Sequence, residues 1–319
     1  MKTCPMNQEG CNPCDMPLLA TKIREGDGRI VRCSRCNLTM QDLDWSDEEI
    51  ARYYNEEYQK TNSLVEDRAQ TPRERFDDRL KTIHPLFEMV KPLLKPGMTV
   101  LEVGCGAGEL LSLIKPLVAE CVGVEMNEPF VDFIRADLGM EAHAGDVTKM
   151  DWQGRKFDLV ICVDSLDHMN NPLEVLTFMK NLLAPGGRMW VAVPNLDEVL
   201  NHYLPEPNQS RYHTFFWHRA HFFYFNAETL GRMLAAAGME VEAVQYYHQY
   251  TLKNFLKWFF TGQPQSSYVE AATGVDFLAG DDPFAREMNE AIAGVEDKFQ
   301  ELLRKYGRGD TICCTARLA

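Results

Sequence analysis

The feature that most constrains this chain is an alternation of short apolar runs with helical stretches between Thr99 and Val193. The apolar runs are Thr99–Val103, Cys121–Glu125, Ala142–Ala144, Phe157–Val163 and Arg188–Val193, and helical spacing marks Glu109–Val118, Pro129–Asp137 and Pro172–Leu183. Alternation of this kind predicts an α/β fold, a doubly wound parallel sheet with helices on both faces. Further on, a helix over Ala227–Ala237 is closed by Gly238, strands are expected at Met239–Tyr247 and Asp310–Leu318, and a long helix lies around 283–305. Ahead of the alternation, Ser46 and Glu49 form a capping box for a helix over 46–60, with Ile50, Tyr53, Tyr54 and Tyr58 at helical spacing. Pro72 opens a second helix to about Leu94, carrying Phe76, Leu80, Ile83, Leu86, Phe87 and Val90 on one stripe, and Pro85 is expected to bend or interrupt it.

The first strand runs into the turn Gly104-Cys105-Gly106-Ala107-Gly108, which opens a helix. Glycine lets backbone approach a ligand closely, and the helix N-terminus offers unpaired N–H groups. A dinucleotide turn has the spacing G-x-G-x-x-G; here Glu109 stands where the third glycine would be, an awkward neighbour for a pyrophosphate. Glu125 ends the second strand, where an acidic side chain meets ribose hydroxyls in such folds; alone it could equally be a helix cap or a solvated strand end. Gly145-Asp146-Val147 follows the third strand, where an adenine amine could bind; alone it is an ordinary turn.

The ten cysteines are unevenly placed, five of them within the first 36 residues. Cys11-x2-Cys14 and Cys33-x2-Cys36 form two knuckles separated by 18 residues, which suits a four-cysteine zinc ribbon. The competing readings are free thiols, a redox pair or an iron–sulfur site, and Cys4 is read as a bystander. The segment 1–40 has few large aliphatic residues and would need such a staple as a separate small module. A formal charge of -14 repels phosphate backbones, so free nucleic acid is not an expected partner. No run approaches the roughly 18 apolar residues of a membrane span. Met1–Gly10 lacks the basic-then-apolar order of a secretory signal, so a cytoplasmic location is expected.

Taken together, Glu102-Val103-Gly104-Cys105-Gly106-Ala107-Gly108, Gly123-Val124-Glu125, Gly145-Asp146, Phe157-Asp158-Leu159-Val160 and Leu183-Ala184-Pro185-Gly186-Gly187 resemble class I S-adenosylmethionine-dependent methyltransferases in order and spacing. The resemblance covers residues 97–247 and the last strand. It implies a Rossmann-like sheet of seven strands, the last antiparallel and inserted between the fifth and sixth. It implies S-adenosyl-L-methionine as cofactor, bound by Glu102, Gly104, Cys105, Gly106, Gly108, Glu125, Met126, Asp146, Val147 and Asp164. The glycines would approach the methionine part, Glu125 the ribose, and Asp146 with Val147 the adenine. The ribbon followed by Arg52-Tyr53-Tyr54-Asn55-Glu56-Glu57-Tyr58 resembles bacterial methyltransferases of sugar and natural-product biosynthesis. Sugar C-methyltransferases carry a further C-terminal domain to which this sequence does not extend. The expected division is a zinc ribbon at 1–40, a helical segment at 41–96 and the methyltransferase domain at 97–319, with an insertion at about 248–309 that caps the pocket or forms a homo-oligomer contact.

Methyl transfer from a sulfonium is an in-line displacement, so alignment and water exclusion matter most, and an oxygen or carbon nucleophile also needs a base. His168, in Asp164-Ser165-Leu166-Asp167-His168-Met169 at the end of the fourth strand, is one candidate. His218 and His221, in the aromatic stretch from His213 to Phe225, are the others, and Arg219 could hold a carboxylate or phosphate. Against these stands a packed lid whose histidines bond backbone. Cys105 and Cys162 are read as small buried hydrophobes; Trp258, Phe259 and Phe260 suggest an apolar cap from the insertion, with packing against the sheet the favoured reading. The expected activity is methylation of a small-molecule or sugar acceptor. The alternatives are a protein or other polymer methyltransferase docking through the ribbon, and a non-catalytic cofactor-binding scaffold.

Overall fold

The computed structural model describes residues 4–6, 16–43, 45–46, 49, 52–53, 70–273, 278 and 280–319. Its centre is a seven-stranded sheet. The strands are β4 (Thr99–Val103), β5 (Glu120–Glu125), β6 (Glu141–Ala144), β7 (Phe157–Val163), β8 (Leu183–Pro194), β10 (Met239–Tyr247) and β11 (Thr311–Leu318). Their order across the sheet is β10-β11-β8-β7-β4-β5-β6, and β11 alone runs antiparallel to both its neighbours. The last strand therefore lies between the fifth and sixth, as the resemblance implies.

Side chains of successive residues point to opposite faces of the sheet. Leu159, Ile161 and Val163 join one core with Val100, Trp190, Ala192 and Cys313. Val160 and Cys162 join the other with Leu101, Val191, Val193 and Cys314. Both faces are covered by helices. On one side α1 (Pro72–Val90), α2 (Glu109–Ile114) and α3 (Glu128–Ala136) supply Ile83, Leu111 and Ile134; on the other α4 (Pro172–Asn181) and α7 (Ala227–Ala236) supply Leu176, Met179, Leu230 and Met233.

Most element boundaries fall within a few residues of the sequence expectation, and three departures have a local reason. β8 begins at Leu183 rather than Arg188. A Cβ on Gly187 would sit 2.9 Å from the carbonyl oxygens of Ala184 and Phe157, so glycine there lets the chain enter the sheet directly. α2 stops at Ile114 and becomes one tight turn over Lys115–Leu117, because Pro116 has no N–H to continue the ladder. α1 continues through Pro85, which is exposed; the Lys81 carbonyl it leaves unpaired lies on the exposed face. Of the helix expected over 46–60, the capping box is present, with Ser46 N donating to Glu49 and Glu49 N to Ser46 Oγ; residues 54–60 lie outside the described residues.

A second, antiparallel sheet is built by β1 (Leu18–Ile23), β2 (Gly26–Arg32), β3 (Thr39–Gln41) and β9 (Phe223–Tyr224). β9 comes from the middle of the chain, and Leu38 and Met40 share the core of Leu101 and Val124. The front segment, expected to stand apart, is thus packed into the main body. The expectation that Trp258 and its neighbours pack on the sheet is overturned. Trp258, on α8 (Leu252–Thr261), joins Leu200, Tyr212 of α6 (Asn208–Phe216) and Leu303 of α10 (Pro283–Tyr306) in a separate cluster, while Phe260 is exposed. Two short helices, α5 (Leu200–Tyr203) and α9 (Tyr268–Ala272), complete this cap. Among the described residues no helix is long and apolar enough to cross a membrane.

Asn195 locks the cap to the sheet. It is 1% exposed; its Nδ2 donates to the carbonyls of Gly307 and Gly309, and its Oδ1 accepts from Asp197 N. Removing one partner from a buried polar network leaves the others unsatisfied at about 1–3 kcal/mol each. Asn195→Ala is expected to lower stability by roughly 2–4 kcal/mol, read as a reduced urea midpoint at unchanged m-value.

Candidate functional site

The turn after β4 has all three glycines at positive φ, with Gly104 at +77°, Gly106 at +54° and Gly108 at +87°. At Gly104 the requirement is also steric, since a Cβ would lie 2.1 Å from Ser165 Oγ. Gly106 N donates to Glu125 Oε2 at 3.0 Å and Asn127 N to Glu125 Oε1 at 2.9 Å. The helix cap is Asn127, whose side chain accepts from Phe130 N, so Glu125 is left to bridge the turn and the start of α3. Asp146 Oδ1 accepts from Thr148 N at 2.9 Å and Thr148 Oγ1 at 2.8 Å, which fixes its loop.

These loops open on one cavity of about 1020 Å³. Glu102, Gly104, Cys105, Gly106, Glu125, Met126, Asp146, Val147 and Asp164 all line it; Gly108 instead caps α2 from behind. The cap contributes aromatic lining, with Tyr212, Phe215, Phe216, Trp258 and Tyr268. The turn end is acidic. Burial pushes the carboxyls of Glu102, Glu109 and Glu125 upward, and for Glu102 the other two add repulsion. Glu102 Oε2 is buried with no hydrogen-bond partner. A ligand bringing positive charge and hydroxyl donors to this end would satisfy these groups, which suits an amino-acid sulfonium nucleoside and does not suit a pyrophosphate.

At the end of β7, Asp164 has φ +46°, an uncommon conformation of the kind found where loops are held for function. Its carboxylate pairs with Arg79 at 2.8 Å, and Arg79 also donates to Tyr268. Behind it Asp167 is 1% exposed and neither carboxylate oxygen has a hydrogen-bond partner. His168 Nε2 and His221 Nε2 lie 3.5 and 3.7 Å from Asp167 Oδ2, with ring centroids 4.8 Å apart. Burial pushes Asp167 up to about 7, His168 down to about 4 and His221 downward as well. The same carboxylate and two imidazoles lie within 4.8 Å of one another, a donor set able to hold a divalent cation. His218 is placed differently. Its Nδ1 accepts from Ala220 N at 3.0 Å and its Nε2 lies 3.1 Å from Glu25 Oε1, so its lone pair is already engaged. All three candidate histidines line the cavity; Arg219 does not.

In the front segment Cys4, Cys33 and Cys36 come within 4.8 Å of one another, and Cys4 Sγ is 3.4 Å from Cys36 Sγ. Cys4, read from sequence as a bystander, is therefore part of the thiol cluster, because residues 4–6 pack beside the β2–β3 turn. Contact with Cys4 pushes the Cys36 thiol down to about 6, toward the thiolate that a metal binds. Cys11 and Cys14 lie outside the described residues. Sequence reasoning missed Arg24, Glu25, Arg79 and Tyr268 at the cavity or its rim. Each is an isolated residue far in sequence from any glycine or histidine motif, so spacing carried no signal for it.

A family described as "Methyltransferase domain" matches residues 72–244. Among curated proteins, the chain is 27% identical over 104 residues to a ubiquinone biosynthesis O-methyltransferase of Coxiella burnetii, covering 31% of this chain and 44% of that one. It is 31% identical over 107 residues to the protein of that name from Cereibacter sphaeroides, covering 32% and 43%. The matches thus span less than half the length of these relatives. Among solved structures, an S-adenosylmethionine-dependent methyltransferase from Mesorhizobium loti is similar at a TM-score of 0.47 and 14% identity, covering 75% of this chain and 99% of that one. The match over 72–244 takes in more than half of the chain and spans the glycine turn, Glu125, Asp146 and the β7 end. The chain belongs to the methyltransferase-domain family, and its central sheet is that of a class I S-adenosylmethionine-dependent methyltransferase.

Proposed function

We propose that this chain methylates a small-molecule or sugar acceptor enclosed in the cavity beside S-adenosylmethionine. The observation that carries the proposal is that the aromatic side chains of Tyr212, Phe215, Phe216, Trp258 and Tyr268 share with the glycine turn the lining of one cavity of about 1020 Å³. Small-molecule pockets run to roughly 300–1,000 Å³, so the space suits a cofactor with a small partner. When bound, S-adenosylmethionine supplies a methyl group on a sulfonium, open to in-line displacement. Glu125 receives the ribose hydroxyls, Asp146 and Val147 face the adenine, and Glu102 answers the ammonium. The cap excludes water from the reacting end.

His168 and His221 stand at the acceptor side as the groups that take its proton. Burial keeps both neutral near pH 7 and so able to accept. A proton gained by either imidazole is stabilised by Asp167, under 4 Å from both. His218, with its lone pair engaged, is a positioning residue. In the front segment a structural zinc is held by Cys33, Cys36 and Cys4, with Cys11 or Cys14 completing four thiolates. The support is the proximity of the three described thiols and the lowered pKa of Cys36.

Titration calorimetry is expected to show S-adenosylmethionine binding to the folded protein; no heat at high micromolar cofactor would sink the proposal. With an acceptor identified in metabolite extracts by a mass gain of one methyl, His221→Ala is expected to lower kcat by about 10²–10⁴ while leaving cofactor affinity within a factor of about two. Asp167 yields a pH test. Its folded pKa near 7 lies above the unfolded value of 3.8, so the folded state holds the extra proton between them and stability falls as pH rises through that window. Asp167→Asn removes this slope. Its Tm relative to the parent is expected to climb from pH 4 to pH 7 and then level off, and a pH-independent difference would refute the assignment. Purified protein is expected to carry zinc, and Cys33→Ser to lose it together with several degrees of Tm.

A further inference from the structure

β1 and β2 meet in a two-residue turn at Arg24–Glu25. The turn is docked on the C-terminal end of α6, with Arg24 N donating to Trp217 O at 2.8 Å and Arg24 Nε donating to Phe215 O at 2.8 Å. The guanidinium carbon stacks 3.8 Å from the centroid of the Phe215 ring. These contacts fix the plane of the group and use one of its five N–H donors, leaving the fork of Nη1 and Nη2. Arg24 is exposed and lines the cavity, so the fork is open to a molecule bound there.

No carboxylate among the described residues pairs with it. Glu25, its neighbour, points elsewhere; Oε2 accepts from Arg219 N at 2.9 Å and Oε1 sits by His218 Nε2. The contrast with Arg79 is instructive, since that guanidinium is answered within the protein by Asp164 and Tyr268. Arg24 also stacks on Phe215 of α6, whereas the cofactor candidates lie on the loops at the strand ends of the central sheet.

We propose that Arg24 anchors an anionic group, a carboxylate or a phosphate, on the acceptor molecule. The inference rests on the reading that this cavity holds an acceptor, and it names the acceptor's chemical class. The free fork matches two oxygens of either anion, a geometry that lysine cannot offer. It also gives the front segment a part in the site, because Arg24 reaches the cavity from the β1–β2 hairpin.

The test uses the full chain, with and without S-adenosylhomocysteine, titrated by calorimetry with benzoate, phenyl phosphate and phenol. At least one anion is expected to bind ten-fold or more tightly than phenol, and which of the two does so separates carboxylate from phosphate. Arg24→Gln is expected to abolish that preference, and Arg24→Lys to retain only part of it, with S-adenosylhomocysteine affinity unchanged in both and folding checked by circular dichroism. Anions binding no better than phenol to the parent protein, or equally well to Arg24→Gln, overturns the proposal. So does a ten-fold loss of S-adenosylhomocysteine affinity in Arg24→Gln, which would make Arg24 a cofactor ligand. Failure of the parent protein to bind S-adenosylhomocysteine at all would instead count against the methyltransferase reading, and the anion arms run without it remain decisive for Arg24.

Discussion

The site depends on how closely two loops approach at the carboxyl edge of the sheet. The turn after β4 and the loop after β7 are adjacent because their strands are hydrogen-bonded neighbours, and they touch where Gly104 meets Ser165. A side chain at Gly104 would push the loops apart by the depth of a methyl group. That would separate Glu102 and Glu125 from Asp164 and His168, all four of which line the cavity. In open α/β sheets the crevice outside the strand ends is where ligands bind. Here the positive φ of Gly104 and of Asp164 holds that crevice in shape from both sides.

Burial then sets the chemistry. At the turn end it raises three carboxyls and leaves an oxygen of Glu102 without a partner. At the other end it keeps His168 and His221 neutral around a carboxylate that titrates near 7. The cavity is thus polarised before anything binds. The turn loops call for a cation with hydroxyl donors, and the histidine loops offer lone pairs beside a carboxyl that titrates near 7. Under the proposed function a sulfonium cofactor would match the first set of loops and a proton-losing acceptor the second, while an anionic dinucleotide would meet acidic groups at the turn.

Much of this was legible in sequence because it is local. A period of two in β7 and β8 sorts Val160, Cys162 and Val191 to one face and Ile161, Trp190 and Ala192 to the other, and alternation with helices fixes a parallel sheet. The glycine turn, Glu125 and Asp146 were visible because each sits at a strand end. What was not legible is what the fold brings together from a distance. Nothing in Thr39–Gln41 signals that it pairs with Phe223 and Tyr224. Nothing around Trp258 distinguishes packing on the sheet from packing on α6 and α10, since an amphipathic helix carries the same stripe either way. His218, equal to His221 by sequence, differs from it only because Ala220 N and Glu25 reach its two nitrogens.

The pairing of β3 with β9 has a consequence beyond architecture. Gln41, 1% exposed at the end of β3, donates through Nε2 to the carbonyls of both His218 and His221, and its own N–H donates to Phe222 O. Asp167 O in turn accepts from Phe222 N. One strand of the front sheet therefore holds the backbone that carries two of the three cavity histidines, and that backbone is tied to the loop that carries the third. Cys33 and Cys36 lie on the turn between β2 and β3, so the thiol cluster sits at the entry to the same strand. From that strand Gln41 reaches the histidine-bearing backbone through three hydrogen bonds, two from its side chain and one from its own N–H. On the other side of the same sheet, the β1–β2 hairpin carries Arg24 to the cavity and Glu25 to His218. The front segment could not bury a core alone, and packing it into the main body gives it one. The same packing makes it a wall of the site.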